Sequence, residues 1–368
     1  MSSPMSPPAS NIITQELSGA QVDTLLAKLI SLLPYPIPLT RRLQYHQRQP
    51  SSTAHILLAY FPHSLPPNAK HVLGDNPNAD ENEIAHLIPP PHATWLAAHV
   101  DLATPGETQA WLFASWELPS SQPDAAIEQN LVYALFSHLY HNLVPAQSTE
   151  PTADWLLLKH TGKYLSQPYC RNKVLFGSVH EKVYQYFPQA AITRIDPSYG
   201  KYIFEYSTPL IPPVGFPDGY ALGDMTDDLL QTVVDSSPIP RTLKTLKSLP
   251  NVGLYHGHRL IAWAFLGKDY SVCSVHTEPE YRGRGFAVAL ARELMHRQAQ
   301  ILGDGPVAYA HADVSVSNAA SNSVMKKLQG QVMWEIAWIE LDLETALHTT
   351  NTIPHTTNTI SRSTDHDV

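Results

Sequence analysis

The sequence predicts an α/β protein in two halves, with a mixed sheet in the C-terminal half. Beyond residue 219 the patterns follow the order helix, helix, three strands, long helix, strand, helix, strand. This order is typical of a mixed sheet with a crossover helix between neighbouring parallel strands. A looser version of it precedes residue 207, and a proline-rich segment at residues 207–219 separates the two. Since 368 residues exceed one ordinary domain, we expect a duplicated fold whose first copy has degenerated.

The first half opens with a helix. Ser18 and Gln21 have the spacing of a capping box, and apolar residues recur at helical spacing until Pro34. Further on, short apolar runs between turn residues predict strands, and apolar residues three or four apart predict helices. We expect strands at residues 55–61, 95–102, 109–116 and 155–160, helices near residue 124 and at residues 174–187, and a hairpin at residues 191–206.

The second half has more regular patterns. Residues 286–302 carry apolar side chains along one helical face, and residues 260–266 form a run typical of a buried strand. The other expected elements are helices at residues 226–234, 241–249 and 318–328 and strands at residues 252–256, 271–277, 307–314 and 331–343. The chain is thus expected to contain a disordered N-terminus (1–10), a first half (11–215), a C-terminal domain (216–345) and a disordered tail (346–368).

Composition and charge exclude several classes of protein. The formal net charge is −9 and the 24 Lys and Arg residues are scattered, so a nucleic-acid partner is not expected. Cys170 and Cys273 are too few for a disulfide framework or a cysteine-rich zinc site. The sequence shows no secretory signal and no apolar stretch of about 20 residues, the length of a membrane helix. These features predict a soluble cytoplasmic protein without a membrane partner.

The segment that suggests chemistry joins a predicted strand to the long helix and reads Arg282-Gly283-Arg284-Gly285. Glycines at a helix start let a ligand approach the backbone, whose free N–H groups bind anions. Two arginines add positive charge, so a ligand with a pyrophosphate fits. A tight strand-to-helix turn with solvated arginines is the alternative. The spacing excludes a P-loop and also the dinucleotide fingerprint, because Val288 stands where that fingerprint has glycine or alanine.

This segment resembles the pyrophosphate loop of the GNAT superfamily of acyltransferases. Residues 282–287 fit the superfamily pattern (Q/R)-x-x-G-x-(G/A), and the preceding residues 279–281 (Pro-Glu-Tyr) are its usual lead-in. Residues 318–321 (Asn-Ala-Ala-Ser), followed by Lys327 and Leu328, are similar to the superfamily's N-x-x-S helix, which lies along the thiol end of CoA.

The resemblance covers residues 218–343, and Trp263 with residues 277–282 is most similar to the glycine N-acyltransferase-like (FR47) branch. That branch implies a mixed-sheet GNAT fold in the C-terminal half and a degenerate GNAT-like N-terminal half. It also implies acetyl-CoA or another acyl-CoA as co-substrate, and no metal. The cofactor-binding residues would be Val275, His276, Thr277, Arg282, Gly283, Arg284, Gly285, Phe286, Ala287, Asn318 and Ser321.

The acid/base residues depart from the family pattern. The resemblance implies direct acyl transfer to an amine, which needs a general base and can use a general acid. However, the glutamate of the glycine-acyltransferase branch aligns with Ser271, and the tyrosine that many GNAT enzymes use as acid aligns with Met325. The candidate catalytic residues are therefore His276, Asp269 and Glu278. Their alternatives are a structural strand histidine, a turn aspartate and a solvated glutamate.

These features predict an acyl-CoA-dependent N-acyltransferase of EC 2.3.1 type, acting on the primary amine of a small molecule or amino acid. Two alternatives stay open. One is a protein lysine or N-terminal acetyltransferase with a peptide acceptor, and the other is a catalytically weak, CoA-binding regulatory protein. His256 and His258 read as a turn and not as a zinc site. We expect a monomer or a homodimer.

Overall fold

The computed structural model describes most of the chain. The described residues are 12–62, 89, 93–122, 124–159, 165, 167–196, 198–207, 215–237, 239–303, 305 and 307–349. The N-terminus that was predicted to be disordered (residues 1–10) and the tail from residue 350 onward lie outside them.

The mixed α/β architecture predicted from the sequence is confirmed. The strands are β1 (Ile13–Leu17), β2 (Ala54–Phe61), β3 (Thr94–Asp101), β4 (Ala110–Ala114), β5 (Lys173–His180), β6 (Ile192–Ile195), β7 (Tyr199–Ser207), β8 (Tyr220–Gly223), β9 (Asn251–His256), β10 (Arg259–Leu266), β11 (Val272–Thr277), β12 (Val307–Ser315) and β13 (Gln331–Asp342). The α-helices are α1 (Ala20–Ser31), α2 (Ile37–Arg48), α3 (Ala125–His138), α4 (Ala153–Leu158), α5 (Glu181–Tyr184), α6 (Asp227–Ser236), α7 (Leu243–Ser248), α8 (Phe286–Leu302), α9 (Ala319–Lys327) and α10 (Leu343–Thr349). No described helix combines the length and the apolarity that crossing a membrane requires.

The strands form two sheets. The larger sheet has nine strands, with the order β1-β2-β3-β4-β5-β13-β7-β12 and with β6 paired to β13. The smaller sheet has the order β11-β10-β9-β8 and belongs wholly to the second half. One apolar core packs α3 against the first-half strands, and another packs α8 against β9, β10 and β12.

The two halves exchange strands at their junction. β7 comes from the first half but lies between β12 and β13, where Lys201 stands opposite Asp313 on one side and Trp334 on the other. β13 starts beside β7 and ends in the first half, where Asp342 stands opposite Lys173 of β5. Each half therefore supplies a strand that completes the sheet of the other.

Because of this exchange, we expect the two halves to unfold as one unit. Separating them would leave β12 and β13 without the backbone hydrogen bonds that β7 supplies. Differential scanning calorimetry of the full chain should show a single transition, and a fragment of residues 215–349 should show none. Two separate transitions, or a cooperatively folded fragment, would contradict this expectation.

The second helix also joins the halves. α2 is buried along most of its length although it contains arginines. Tyr45 Oη donates to Ser248 Oγ (3.0 Å), and Arg41 Nη2 donates to the Tyr309 carbonyl (2.7 Å), both in the second half. This helix was not predicted, because its prolines interrupt the sequence pattern. Pro38 is tolerated because it lies in the first helical turn, where the backbone N–H has no partner to lose.

Two predicted elements of the first half are wrong. The strand predicted at residues 155–160 is helix α4, whose N-cap Thr152 accepts the Trp155 N–H on Oγ1 (3.1 Å). The helix predicted at residues 174–187 begins instead with strand β5 and only then turns into the short helix α5. β5 is buried on both faces, so its sequence lacks the alternation that identifies a half-buried strand.

One predicted strand pairing and one predicted boundary also differ from the structure. The hairpin predicted at residues 191–206 is wrong, because β6 and β7 each pair with β13 and not with one another. Ala346, where the tail was predicted to begin, is buried in α10, and that helix continues to Thr349. Leu343, Ala346 and Leu347 pack on the first-half core, so residues 346–349 of the predicted tail are helical.

The crossover connections differ between the halves. In the first half α3 connects β4 to the parallel strand β5, and the two strands pair at Ala110 and Phe176. In the second half α8 connects β11 to β12, but these neighbouring strands belong to different sheets. β11 and β12 therefore diverge, and the gap between them opens a cleft beside the junction of the two halves.

Candidate active site

A cavity of about 1070 Å³ occupies the cleft between β11 and β12. Its second-half walls include β11, residues 281–283 and 285–288, and α9. Glu107, Trp111 and Tyr199 of the first half also line the cavity, together with Trp338 of β13. A cavity of this size can enclose most of a small ligand. Both halves therefore contribute to one binding site.

Glu107 ties the first half to the second at the cavity wall. Its carboxylate accepts hydrogen bonds from the Thr242 N–H (3.1 Å), from Thr245 Oγ1 (2.9 Å) and from Lys268 Nζ (3.1 Å). The carboxylate is buried, and hydrogen bonds to a buried charged group are stronger than those between neutral groups. These contacts hold the two halves in a defined position around the cavity.

The predicted anion loop has a backbone that suits anion binding. Gly283 and Gly285 have φ of 78° and 83°, in the left-handed region that favours glycine. A Cβ at either position would meet no atom within 4 Å, so a ligand can approach both residues closely. α8 begins directly after Gly285, and its first N–H groups have no partner within the helix. Together with the helix dipole, these N–H groups are suited to bind an anion.

The two arginines of the loop are oriented by uncharged partners. Arg282 Nε donates to the Thr277 carbonyl (3.0 Å). Arg284 donates to the Glu280 carbonyl (3.1 Å) and to Tyr220 Oη (3.2 Å). Because none of these acceptors is a carboxylate, the positive charge of both guanidinium groups is available to an anionic ligand. Arg282 lines the cavity, whereas Arg284 is not among the described residues that line it.

β11 contains a bulge midway along the cavity. Two of its residues, Ser274 and Val275, stand opposite the single residue Ala264 of β10. Ser274 has a φ of 51°, and its Oγ accepts a hydrogen bond from Arg241 Nη1 (2.7 Å). A bulge takes a backbone group out of the ladder, so this one can offer an N–H to a negatively charged oxygen in the cavity.

Asn318 and Ser321 lie at the start of α9 and line the cavity. Asn318 Oδ1 accepts the Ser321 N–H (3.0 Å), as an N-cap residue does. Met325, one turn further, also lines the cavity and is buried. Its thioether carries no proton, so this position cannot supply a general acid.

His276 lines the cavity on β11, as the sequence suggested. Its ring stacks on Trp263 with centroids 4.1 Å apart, and its Nε2 is 3.8 Å from Glu278 Oε1. Burial lowers the pKa of His276 below 6.5, although Glu278 opposes the shift, so the ring is mainly neutral at neutral pH. Glu278 itself is not among the described residues that line the cavity.

Asp269 also lines the cavity and is buried in the turn between β10 and β11. Its Oδ1 accepts hydrogen bonds from Ser271 Oγ (2.6 Å) and from the Ser271 N–H (3.2 Å). Ser271 lines the same cavity. The hydroxyl that replaces the glutamate of the glycine-acyltransferase branch is therefore hydrogen-bonded to a carboxylate.

A buried polar cluster behind Asp269 was not predicted from the sequence. His311 Nε2 donates to the Asp269 carbonyl (2.8 Å), Lys201 Nζ donates to His311 Nδ1 (3.2 Å), and Lys201 Nζ lies 2.5 Å from Asp313 Oδ1. One signal was present, because β12 alternates alanines with Tyr, His and Asp, which indicates a strand with one polar face. Nothing in the sequence pattern indicated that Lys201 belongs to this cluster, because its strand β7 comes from the first half.

The same cluster has the spacing of a metal site. Asp269, His311 and Asp313 offer ligand atoms that lie within 4.8 Å of one another. However, the ammonium group of Lys201 already contacts His311 and Asp313 and brings positive charge to this place. We therefore assign no metal to these residues.

In the first half, the crossover helix α3 corresponds to α8 of the second half. However, a side chain of the protein already occupies the N-terminus of α3. Asp124 is the N-cap of α3, and its Oδ1 accepts the N–H groups of Ala126 (3.1 Å) and Ile127 (3.2 Å). This carboxylate takes the position that an anionic ligand would need. The start of α3 is therefore unsuited to a second acyl-CoA.

Family models match both halves of the chain. Residues 9–202, more than half of the 368 residues, match the N-terminal domain of the acyl-CoA N-acyltransferase verG. Residues 251–339 match the FR47-like protein family. No curated protein sequence matches the chain.

Three solved structures match the chain at low sequence identity. A protein from Drosophila melanogaster is 16% identical, with 89% of this chain and 98% of that chain covered and a TM-score of 0.53. A tandem GNAT protein from the clavulanic acid biosynthesis pathway is 10% identical, with 90% and 98% covered and a TM-score of 0.45. A GCN5-related N-acetyltransferase from Sphaerobacter thermophilus is 11% identical, with 92% and 96% covered and a TM-score of 0.44. At such identity the first likeness supports the fold alone.

The family matches agree with the resemblance seen in the sequence and confirm the predicted GNAT fold. GNAT acyltransferases use acyl-CoA as co-substrate and act on amine acceptors. The chain belongs to the GNAT N-acyltransferases, in their FR47-like branch.

Proposed function

We propose that this protein transfers an acyl group, acetyl in the simplest case, from acyl-CoA to the primary amine of a small molecule or amino acid. The observation that carries the proposal is the single cavity that extends from the loop at residues 282–285 to the first half. The acyl donor would lie at one end and the acceptor at the other. Because the first half encloses the acceptor end, a small acceptor fits it better than a protein surface.

The donor end suits the chemistry of CoA. The pyrophosphate would lie on the N–H groups at the start of α8, with the charges of Arg282 and Arg284 opposing its own. Asn318 and Ser321 of α9 border the path from this loop toward the middle of the cavity. An N–H of the β11 bulge would stabilise the negative charge that develops on the thioester oxygen.

The course of β11 sets the order of groups along the cavity. Thr277, at its C-terminal end, adjoins the pyrophosphate loop through the hydrogen bond from Arg282. Ser271 directly precedes its first residue, so it lies roughly 10 Å from the bulge residue Ser274, at about 3.3 Å per residue. His276 lies between the bulge and the loop. Ser271 is therefore on the acceptor side of the bulge, and His276 is on the donor side.

We favour Asp269, acting through Ser271, as the general base. While the amine nitrogen bonds to the acyl carbon and the C–S bond breaks, the amine proton passes through a water molecule that bridges the distance to Ser271 Oγ, and the Ser271 proton passes to Asp269 Oδ1. His276, next to Glu278, is the second candidate. The thiolate of CoA is a good leaving group, so Met325 in the place of the tyrosine acid slows the reaction without preventing it.

A panel of acceptors tests the proposed function. The full chain with acetyl-CoA should release free CoA and acetylate small amines or amino acids, as measured by thiol release and mass spectrometry. Lysine-containing peptides should be poorer acceptors by at least about tenfold in kcat/KM, because the first half encloses the acceptor end.

Two other outcomes would favour the alternatives. If calorimetry shows acetyl-CoA binding but no amine is acetylated, a CoA-binding regulatory protein becomes the better description. The lack of catalysis would then follow from the replacement of the family's base and acid by Ser271 and Met325. If peptides are acetylated faster than small amines, a protein lysine or N-terminal acetyltransferase becomes the better description.

A further inference from the structure

Lys201 connects the first half to the site in the second. It lies on β7, the strand that the first half contributes to the other sheet, and its side chain is fully buried (0%). Its Nζ is 2.5 Å from Asp313 Oδ1 and 3.2 Å from His311 Nδ1. His311 in turn donates from Nε2 to the carbonyl of Asp269. A single imidazole therefore separates Lys201 from the residue that we favour as the base.

The hydrogen bonds define the protonation state of His311. A carbonyl oxygen can only accept, so Nε2 carries the hydrogen atom, and an ammonium group can only donate, so Nδ1 carries a lone pair. His311 is therefore neutral, in agreement with its burial, which lowers its pKa to about 3. The positive charge of this group of residues is on Lys201.

Asp269 is surrounded by groups of positive and of negative charge. The charged or titratable groups that act on it are Lys201 of β7, Arg42 of α2, His311 and Asp313 of β12, and Cys273 of β11. Burial by itself raises the pKa of Asp269, but the positive charge of Lys201 and two hydrogen bonds from Ser271 oppose burial, and that pKa lies below its ordinary value of 3.8. The pKa of Asp313 is raised, because burial and the charge of Asp269 outweigh the attraction of Lys201.

We propose that Lys201 is a positioning residue that keeps Asp269 ionised beside Ser271, so that the first half completes the proton acceptor of the second. A buried carboxylate without a nearby cation takes up a proton, and it could then accept none from the amine. The inference rests on the acyl transfer proposed above. It also explains why β7 is inserted between two strands of the catalytic half, because that insertion brings Lys201 opposite Asp313.

Replacing Lys201 by methionine tests the proposal, since it removes the charge and keeps an unbranched side chain. With a weakly basic aromatic amine as acceptor, the acid limb of the kcat profile should move to higher pH. At neutral pH, kcat should fall at least about tenfold. Lys201→Arg should restore most of the rate, and CoA affinity measured by calorimetry should not change, because the pyrophosphate loop lies elsewhere.

Asp313→Asn is the matched control, because it breaks the same ion pair but leaves the cation. If the pair were only structural, both substitutions would affect the profile alike. The proposal instead expects the acid limb of Asp313→Asn at or below that of the wild type. Lys201→Met removes the cation between two buried carboxylates, a change large enough to prevent folding by itself. In that case Asp313→Asn is compared with Asp313→Asn/Lys201→Met, which differ only in the cation.

Carbon-13 NMR of the full chain with labelled aspartate gives a second measurement that needs no turnover. The signal of the Asp269 carboxyl, assigned with Asp269→Asn, should titrate at higher pH in Lys201→Met than in the wild type. If this titration is the same in both proteins, the proposal is overturned, whether or not any amine is acylated. If acyl transfer fails but the titration moves, the proposed function is wrong and the role of Lys201 stands.

Discussion

Replacing Gly285 by leucine is expected to abolish CoA binding and to leave the protein folded. Gly285 has a φ of 83°, and a Cβ there would meet no atom within 4 Å, so the leucine would project into free space before α8. In the proposed complex the pyrophosphate occupies that space. We expect the affinity for CoA and acetyl-CoA to fall at least about a hundredfold, which corresponds to about 2.8 kcal/mol. Titration calorimetry measures both affinities.

Gly303 is the matched control for this substitution. It ends the same helix, has a φ of 63° and likewise has no atom within 4 Å of a Cβ, but it does not line the cavity. A leucine at either position forces an L residue into the left-handed region, which costs about 1–2 kcal/mol. Both variants should therefore lose a similar amount in Tm, and only Gly285→Leu should lose CoA binding. Equal affinities for CoA in the two variants would show that the loop does not bind the pyrophosphate.

The conformation of the proposed cofactor loop could be predicted from the sequence because it is local. The glycines at residues 283 and 285 supply the positive φ angles, and the helix that follows supplies the free N–H groups. The same holds at the start of α9, where Asn318 caps a helix three residues before Ser321. None of these features depends on which strands lie nearby, so a short motif was sufficient.

The buried cluster could not be predicted in the same way, because it depends on the order of strands. Lys201 and Asp313 meet only because β7 of the first half pairs with β12 of the second. Hydrophobic periodicity shows which face of a strand is polar, but it does not show which strand lies beside it. Residues 174–187 illustrate a related limit, since a strand that is buried on both faces has no alternation to identify it.

Asp269→Asn and His276→Ala are expected to differ strongly in kcat. Asparagine keeps the shape of the side chain and an oxygen that can accept from Ser271, but it cannot take up the proton of the amine. We expect kcat to fall by about 10²–10⁴-fold in Asp269→Asn. His276→Ala should keep most of kcat, because His276 lies on the donor side of the bulge and stacks on Trp263. Steady-state kinetics at saturating acetyl-CoA measures both.

The pH profile of the wild type then identifies the base. With a weakly basic aromatic amine, protonation of the acceptor does not limit the rate at mildly acidic pH. If His276 were the base, the rate would fall below its pKa, which burial places under 6.5. If Asp269 is the base, the acid limb lies below 3.8, because the pKa of that carboxyl is lowered. We therefore expect a level profile from neutral pH down to the onset of acid unfolding, in the wild type and in His276→Ala alike. An acid limb in the wild type that disappears in His276→Ala would assign the base to His276 instead.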